Sequence, residues 1–418
     1  MSSTLAVIGL GYVGLPLVRE ACGSGLSVIG YDVSERVVRA LSEGRSHVDD
    51  LSDADVRRML DSGLRVTSDA CLLTEADVVV ICVPTPLSED GGPDLTAVTS
   101  ATCAVRDHLT PGTLVVLEST TWPGTTDEVV RPLLEESGLV AGQDFHLAFS
   151  PERIDPGNPE FGLRNTPKVV GGITEACTRA AAEFYGQVVD TVVRARGTRE
   201  AEMAKLLENT YRHINIALVN EMAKFSHELG VDLWDVIRCA SSKPFGFQAF
   251  YPGPGVGGHC IPIDPNYLSY QVRARLGYPF RFVELAQEIN AGMPDYVARR
   301  VQDLLNEQGK ALRGSTVLLL GVTYKPNIAD QRESPARPLA ARLLAQGADV
   351  RFHDPHVDGW SVNGTDVPAL ELDKGLSEAD VVVLLQPHRE YDLEHLAARA
   401  GVLFDTRGVV TGERVQTL

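Results

Sequence analysis

Two kinds of hydrophobic pattern alternate along this 418-residue chain. Short apolar blocks such as Leu5-Ala6-Val7-Ile8, Val78-Val79-Val80-Ile81 and Leu114-Val115-Val116-Leu117 lead into turns rich in Gly, Pro, Ser and Thr. They read as parallel strands buried on both faces. Helical stretches separate them, and the first runs on from the Leu5 block to about Gly25. Ser27 to Asp32 is a second strand and Phe145 to Phe149 a later one. From Thr198 to Gly230 there is neither Gly nor Pro, and Met203, Leu207, Ile214, Leu218 and Phe225 recur at helical spacing. This predicts one helix of about eight turns. A helix of that length spans between domains or makes a subunit contact.

Ser315 to Gly321 opens a second α/β run that echoes the first. Thr74-Glu75-Ala76-Asp77-Val78-Val79-Val80 is answered by Ser377-Glu378-Ala379-Asp380-Val381-Val382-Val383, and Val28 to Asp32 by Val350 to Asp354. The expected fold is α/β, with two Rossmann-like, doubly wound parallel-sheet domains (residues 1–195 and 301–418) joined by a central helical domain (196–300).

The turn after the first strand is Gly9-Leu10-Gly11-Tyr12-Val13-Gly14, and the second strand ends on Asp32. Strand, glycine turn, helix, strand and acid in this order form a dinucleotide-binding fingerprint. Gly9, Gly11 and Gly14, with Tyr12 and Val13 between them, would cradle the pyrophosphate, and Asp32 would accept the adenosine ribose hydroxyls. That acid disfavours a 2′-phosphate, so NAD is expected rather than NADP, although Arg36 stands near. Ligands of such sheets sit at the carboxyl ends of the strands. This makes Val83-Pro84-Thr85 and Thr120 candidates for the cofactor or the reacting group, with a helix cap or turn hydroxyl as the bland reading of each threonine. The second half lacks the glycine fingerprint: Gly321 is followed by Val322-Thr323-Tyr324-Lys325-Pro326. A lysine there suits a mononucleotide or its phosphates.

A net charge of −18 argues against nucleic acid or an anionic membrane as partner. The seven cysteines are scattered without a CxxC pair, the free-thiol usage of a reducing compartment with no metal site. The chain enters a strand at once, and no apolar run approaches a membrane span. The expected location is the cytoplasm.

Tyr251 to Pro265 packs four glycines, Gly253, Gly255, Gly257 and Gly258, around Cys260. Asp264-Pro265 reads as a helix start, so the thiol stands just ahead of a helix N-terminus, where its pKa falls. The alternative is a structural cysteine beside a capped helix. A thiol is useful to a dehydrogenase when an aldehyde must be oxidised onward. Thiolate addition makes a thiohemiacetal, loss of hydride leaves a thioester, and water hydrolyses it. Lys205 and Asn209, four apart on one face of the long helix, suit oxyanion and water binding, with a solvated lysine and a tolerated asparagine as the bland reading. Asn209 or Asp264 would hold water, and Glu152 would promote hydrolysis.

With these residues in view the chain resembles the UDP-glucose/GDP-mannose dehydrogenase family. The resemblance is carried by Gly9 to Pro16, Val83 to Pro86, Glu118-Ser119-Thr120, Ser150-Pro151-Glu152-Arg153, Ala204 to Asn209, Gly257-Gly258-His259-Cys260 with Asp264, Gly321 to Asn327 and Arg332 to Pro335. It implies a four-electron oxidation of a sugar 6-hydroxymethyl to a carboxylate with two NAD+, in a homodimer. It implies Cys260 as nucleophile, Lys205 and Asn209 as oxyanion and water ligands, Asp264 beside the thiol, and Glu152 and Thr120 assisting. Lys325 would bind the nucleotide sugar and Arg332 the NAD, while the loop from Phe250 and Tyr251 through Gly255 and Gly257 would wrap the substrate. Arg407, at the end of a late strand, is a further candidate for contact with the substrate.

The departures point to a branch. Arg153 and Pro156 replace an aromatic and a second acid common in enzymes of UDP-glucose, and His259 and Ile263 replace a Ser and a Lys. Both changes resemble enzymes of UDP-N-acetylhexosamines, with Arg153 and His259 as donors for an acetamido carbonyl. Tyr251-Pro252-Gly253-Pro254 and Ile261 to Leu268 look most like the UDP-N-acetylglucosamine 6-dehydrogenases. UDP-N-acetylmannosamine or UDP-glucose as substrate are the alternatives. From other classes, a β-hydroxyacid dehydrogenase leaves the cysteine loop and second sheet unexplained, and a catalytically silent sensor has no need of Lys205, Asn209, Cys260 and Asp264 together.

Overall fold

The computed structural model describes residues 3–48, 51–88, 92–155, 158, 160–258, 261 and 263–418. His259, Cys260 and Pro262 of the cysteine loop, and Pro156, lie outside the described residues. The chain divides into two compact units, Met1–Glu208 with Asn266–Gly277, and Asn209–Pro265 with Tyr278–Leu418.

In the first unit the apolar blocks form strands as the pattern predicts: β1 (Thr4–Ile8), β2 (Ser27–Tyr31), β3 (Arg65–Thr67), β4 (Val78–Ile81), β5 (Leu114–Leu117), β6 (His146–Phe149), β7 (Lys168–Gly172) and β8 (Val192–Arg194). They make one sheet in the order β3-β2-β1-β4-β5-β6-β7-β8. All pairs are parallel except β6 with β7. Helices on both faces bury Leu5 to Ile8, Val79 to Ile81 and Val115 to Leu117 almost completely, which is why these strands read as continuous rather than alternating apolar runs. The order reverses between β1 and β4, and that crossover opens the ligand-binding end of a doubly wound sheet.

The second unit carries β9 (Thr316–Leu320), β10 (Asp349–His353), a hairpin of β11 (Trp360–Val362) and β12 (Thr365–Val367), β13 (Val381–Leu384), β14 (Leu403–Asp405) and β15 (Val415–Thr417). The parallel sheet runs β10-β9-β13-β14-β15, with cores on both faces built on Val317, Leu319 and Val383 and on Leu318, Val382 and Leu384. Two sheets of this kind are the α/β architecture that the sequence echo predicts. Among the described residues no helix is long and apolar enough to cross a membrane.

The long helix runs Thr198–Glu228. Among the described residues, four members of its apolar stripe, Met203, Leu207, Leu218 and Phe225, are 43%, 65%, 54% and 47% exposed, while Ile214 is half-buried. The spacing is helical, but the face it marks looks outward.

Candidate active site

The first unit builds a dinucleotide cradle at the carboxyl end of β1. Gly9 sits at φ +90°, and a Cβ there would lie 2.7 Å from the Cys82 carbonyl. At Gly14 a Cβ would strike the Gly9 carbonyl, whereas at Gly11 it would meet nothing within 4 Å. The first and third glycines are thus required by backbone packing, and the middle one leaves open room. The helix Gly14–Gly23 has no side-chain cap at Val13, which suits its N-terminus to an anion. Asp32 accepts the N–H of Leu10 at 2.9 Å and of Ser34 at 2.8 Å, so its carboxylate is aimed from the end of β2. Arg36 is exposed and lines a surface pocket of about 570 Å³ with Glu35, Arg39 and Arg45. Tyr12 and Val13 flank the turn, both packing on the core below. The donor set fits NAD, whose nicotinamide supplies the hydride acceptor when bound.

The strand-end turns at β4 and β5 are tied together. The Ser119 hydroxyl donates to the Val83 carbonyl at 2.7 Å. Thr85 is buried and its carbonyl accepts the Tyr267 hydroxyl, while Thr120 is half-buried. The neighbouring Thr121 hydroxyl is buried with no partner among the described residues, a feature that no sequence pattern marks.

Glu152 lies in a buried charge network. Its Oε1 accepts the N–H groups of Arg153 and Ile154, both at 2.6 Å, and its Oε2 takes the Lys168 ammonium at 3.1 Å. Lys168, 3% exposed, also reaches Glu118 at 3.0 Å, and Glu118 accepts the Tyr185 hydroxyl. Burial pushes the Glu118 carboxyl up against the pull of Lys168. Burial also lowers Lys168, but Glu118 and Glu152 outweigh it and hold the ammonium well above its ordinary range. One fixed cation therefore serves two carboxylates.

The Glu152 backbone carbonyl in turn accepts the Lys205 ammonium at 2.6 Å, using one of its three donors. Three donors thus engage the carboxylate, and its backbone carbonyl holds Lys205. Arg153 is likewise engaged: its guanidinium pairs with Glu208 at 2.8 Å and donates to the Pro167 carbonyl at 2.6 Å. Glu202 accepts Thr126 N–H at 2.9 Å and its hydroxyl at 2.7 Å, binding the turn after Thr120 to the helix that carries Lys205.

In the second unit, Asn209 donates to Asp264 Oδ2 at 2.5 Å, and both residues are buried. Asp264 opens the helix Asp264–Leu276, four residues after Cys260. The loop at Gly253 is braced by two asparagines. Gly253 N–H donates to Asn220 Oδ1 at 2.9 Å, and Asn220 donates to Asn290 at 2.9 Å.

The loop glycines are required by close approach to protein. A Cβ at Gly257 would lie 2.7 Å from the Glu333 carbonyl and from Tyr324, and one at Gly255 would lie 3.0 Å from Pro335. Phe250 packs edge-on to Tyr211, and the exposed Tyr251 stacks on Trp234. The Arg407 guanidinium donates to the Leu385 carbonyl at 2.6 Å and lies against Gly253. Burial pulls its pKa down to about 10, so it stays charged at neutral pH. Arg332 pairs with Asp330 at 2.6 Å, and its carbonyl accepts the Gly258 N–H at 3.2 Å. Lys325 is half-buried in the turn after β9.

A glycine cradle with a strand-end acid on one sheet, and a second parallel sheet with a lysine in the turn after its first strand, are the features of an NAD-dependent dehydrogenase acting on a nucleotide-bearing substrate. Residues 3–189 match the NAD binding domain of the UDP-glucose/GDP-mannose dehydrogenase family, 199–292 its central domain and 318–412 its UDP binding domain. The chain belongs to the UDP-glucose/GDP-mannose dehydrogenase family and is a UDP-sugar dehydrogenase that uses NAD. It is 35% identical to Protein CapL of Staphylococcus aureus, across 99% of this chain and 98% of that one. It is 34% identical to the UDP-N-acetyl-D-glucosamine 6-dehydrogenase of Salmonella typhi, across 98% and 97%. The structure of a UDP-D-ManNAc dehydrogenase from Pyrococcus horikoshii superposes with a TM-score of 0.89 at 32% identity, covering 99% and 98%.

Proposed function

We propose that this chain oxidises the C6 hydroxymethyl of a UDP-N-acetylhexosamine to the carboxylate in two steps. The observation that carries this reading is the buried Asn209–Asp264 hydrogen bond. It joins a residue one helical turn past Lys205 to one four positions after Cys260. In the first step C6 loses a hydride and its hydroxyl proton. The Cys260 thiolate then adds to the aldehyde carbon, and the Lys205 ammonium with the Asn209 amide steadies the alkoxide. Loss of a second hydride leaves a thioester on Cys260. Water held at Asn209 and Asp264 hydrolyses it and restores the thiol. Each oxidation removes two electrons, so two NAD+ are reduced per sugar. Glu152 assists by aiming Lys205, and Thr120 and Thr85 border the reacting end of the cofactor. Gly9, Gly11, Gly14 and Asp32 hold its diphosphate and ribose. Lys325 and Arg407 take the UDP moiety, and Arg332 reaches the NAD.

UDP-N-acetylglucosamine is the substrate favoured by the residues around Cys260. UDP-N-acetylmannosamine is the second reading, because that sugar is named for the P. horikoshii structure above. Assaying both epimers with UDP-N-acetylgalactosamine and UDP-glucose decides between them. The expected result is fastest turnover on UDP-N-acetylglucosamine with two NADH per sugar. Preference for the manno epimer would reassign the substrate, and one NADH per sugar would refute the two-step reaction.

We also infer a homodimer through the long helix. The support is the uncovered stripe of Met203, Leu207, Leu218 and Phe225, spaced as a helical seam seeking a partner. Light scattering is expected to give twice the 45.2 kDa chain mass, and Leu207→Glu with Leu218→Glu to give the monomer. A wild-type monomer at micromolar concentration would refute this.

A further inference from the structure

The two sheets repeat one device at the end of their first strand. Gly9 and Gly321 both take positive φ, at +90° and +76°. Each donates its N–H to the carbonyl of the residue ending the neighbouring strand, Tyr31 at 2.9 Å and His353 at 3.0 Å. The next residue donates to a strand-end acid, Leu10 to Asp32 at 2.9 Å and Val322 to Asp354 at 2.7 Å. The acid's other oxygen takes an N–H two residues on, from Ser34 at 2.8 Å and from His356 at 2.9 Å. The parallel then breaks. Among the described residues Asp32 takes no side-chain donor, whereas Asp354 receives a third partner, His388 Nε2, at 3.2 Å.

His388 is wholly buried, and both its ring nitrogens are committed. Nδ1 accepts the Asn327 N–H at 2.9 Å, which leaves the ring proton on Nε2, facing Asp354 and, at 3.4 Å, the Thr323 hydroxyl. His356 and Glu390 lie nearby, but a ring with both nitrogens engaged has no lone pair to offer a metal. Asn327 stands at φ +65° and is gripped a second time, its Oδ1 accepting the Arg389 N–H at 2.8 Å. On the other side of the turn the Thr323 hydroxyl donates to the Lys325 carbonyl at 2.8 Å. Lys325 is therefore clasped between Thr323 and Asn327, and His388 touches both.

We propose that His388 is a positioning residue for the nucleotide site: seated on the acid that the first sheet leaves for a ribose, it braces the Thr323–Asn327 turn and so aims Lys325 at the UDP diphosphate. In the second sheet the acid is an anchor for this brace and not a ligand for sugar hydroxyls. The proposal rests on the reading of Lys325 as a UDP ligand. An unbraced turn spreads Lys325 over many orientations, and the ordering cost then falls on binding.

UDP titrated calorimetrically into the full-length chain is the test. His388→Ala is expected to weaken UDP on the order of tenfold or more, with KM for NAD unchanged. His388→Gln, whose carbonyl and amide can replace the two ring nitrogens, is expected to recover most of the loss. In a Lys325→Ala background, His388→Ala is expected to cost little further, because the lysine it aims is gone. His388→Phe, which fills the volume without either hydrogen bond, replaces His388→Ala if that variant does not fold. If Lys325→Ala itself leaves UDP affinity unchanged, the reading of Lys325 fails and the proposal with it. If Lys325→Ala weakens UDP while His388→Ala does not, or if the two losses simply add, the proposal alone is overturned.

Discussion

Cys260→Ser is expected to end release of the sugar acid. The reasoning is chemical. A thiol of ordinary pKa near 8.5 is partly ionised at neutral pH and more so beside a cation or helix N-terminus, whereas a serine hydroxyl is not. Without the thiolate the aldehyde carbon has no covalent partner, and a free aldehyde lacks the tetrahedral C–H that gives up hydride readily. The loss in uronate formation is expected to be on the order of 10⁴-fold or more, as for removal of a nucleophile elsewhere. A single turnover would yield at most one NADH per site, with the aldehyde held on the enzyme, against two for the unaltered chain. Mass analysis of the sugar product and NADH counted against enzyme give the answer. Uronate released by the variant at an undiminished rate would refute the thioester route.

Lys168→Met is expected to produce the largest loss of stability of any single change discussed for this chain. The side chain is 3% exposed and lies 3.0 Å from Glu118 and 3.1 Å from Glu152. Its removal leaves two carboxylates facing each other out of water. Breaking a buried pair by deleting one partner costs about 3–5 kcal/mol, because the surviving charge keeps its desolvation penalty without its compensation. Adding Glu118→Gln should recover a substantial part, since one stranded charge is then removed. Equilibrium denaturation measures both. A Lys168→Met chain within about 1 kcal/mol of the parent would show that the network carries no net energy. Where the variant folds, kcat is expected to fall too, because the turn whose carbonyl holds Lys205 is anchored by the same ammonium.

The network bears on the role given to Glu152. The sequence reading of this residue as a hydrolytic carboxylate follows from what a thioester needs. In the fold its two oxygens are taken up by Arg153 N–H, Ile154 N–H and Lys168. The same residue still reaches the catalytic candidates, but through its backbone. Arg153 shows a similar shift, from free donor to partner of Glu208. Motif position marks such residues, whereas their hydrogen bonds say which atoms the fold engages.

What the amino-acid sequence settles without help is the local and the periodic. The Gly9-Gly11-Gly14 turn and Asp32 are legible because each glycine answers a constraint within its own strand-turn-helix unit, and because the buried strands on either side are unbroken apolar runs. The helix Thr198–Glu228 is legible from its spacing and from the absence of Gly and Pro. The doubled architecture is legible because the second sheet repeats the apolar blocks of the first. Tertiary structure decides what is joined over distance. Lys168 meets Glu118 and Glu152 across strands 50 and 16 positions away, and nothing in Pro167-Lys168-Val169 announces a buried cation. His388 takes hold of Asn327 and Asp354 from 61 and 34 positions away, so the strand-end acid of the second sheet looks in sequence just like that of the first. Periodicity shows that a helix has an apolar face and cannot say which side is covered, since burial belongs to the neighbours and not to the segment. For this dehydrogenase the ligand classes are therefore written in local motifs, while the contacts that hold Lys205 and the Thr323–Asn327 turn arise only when remote segments close around them.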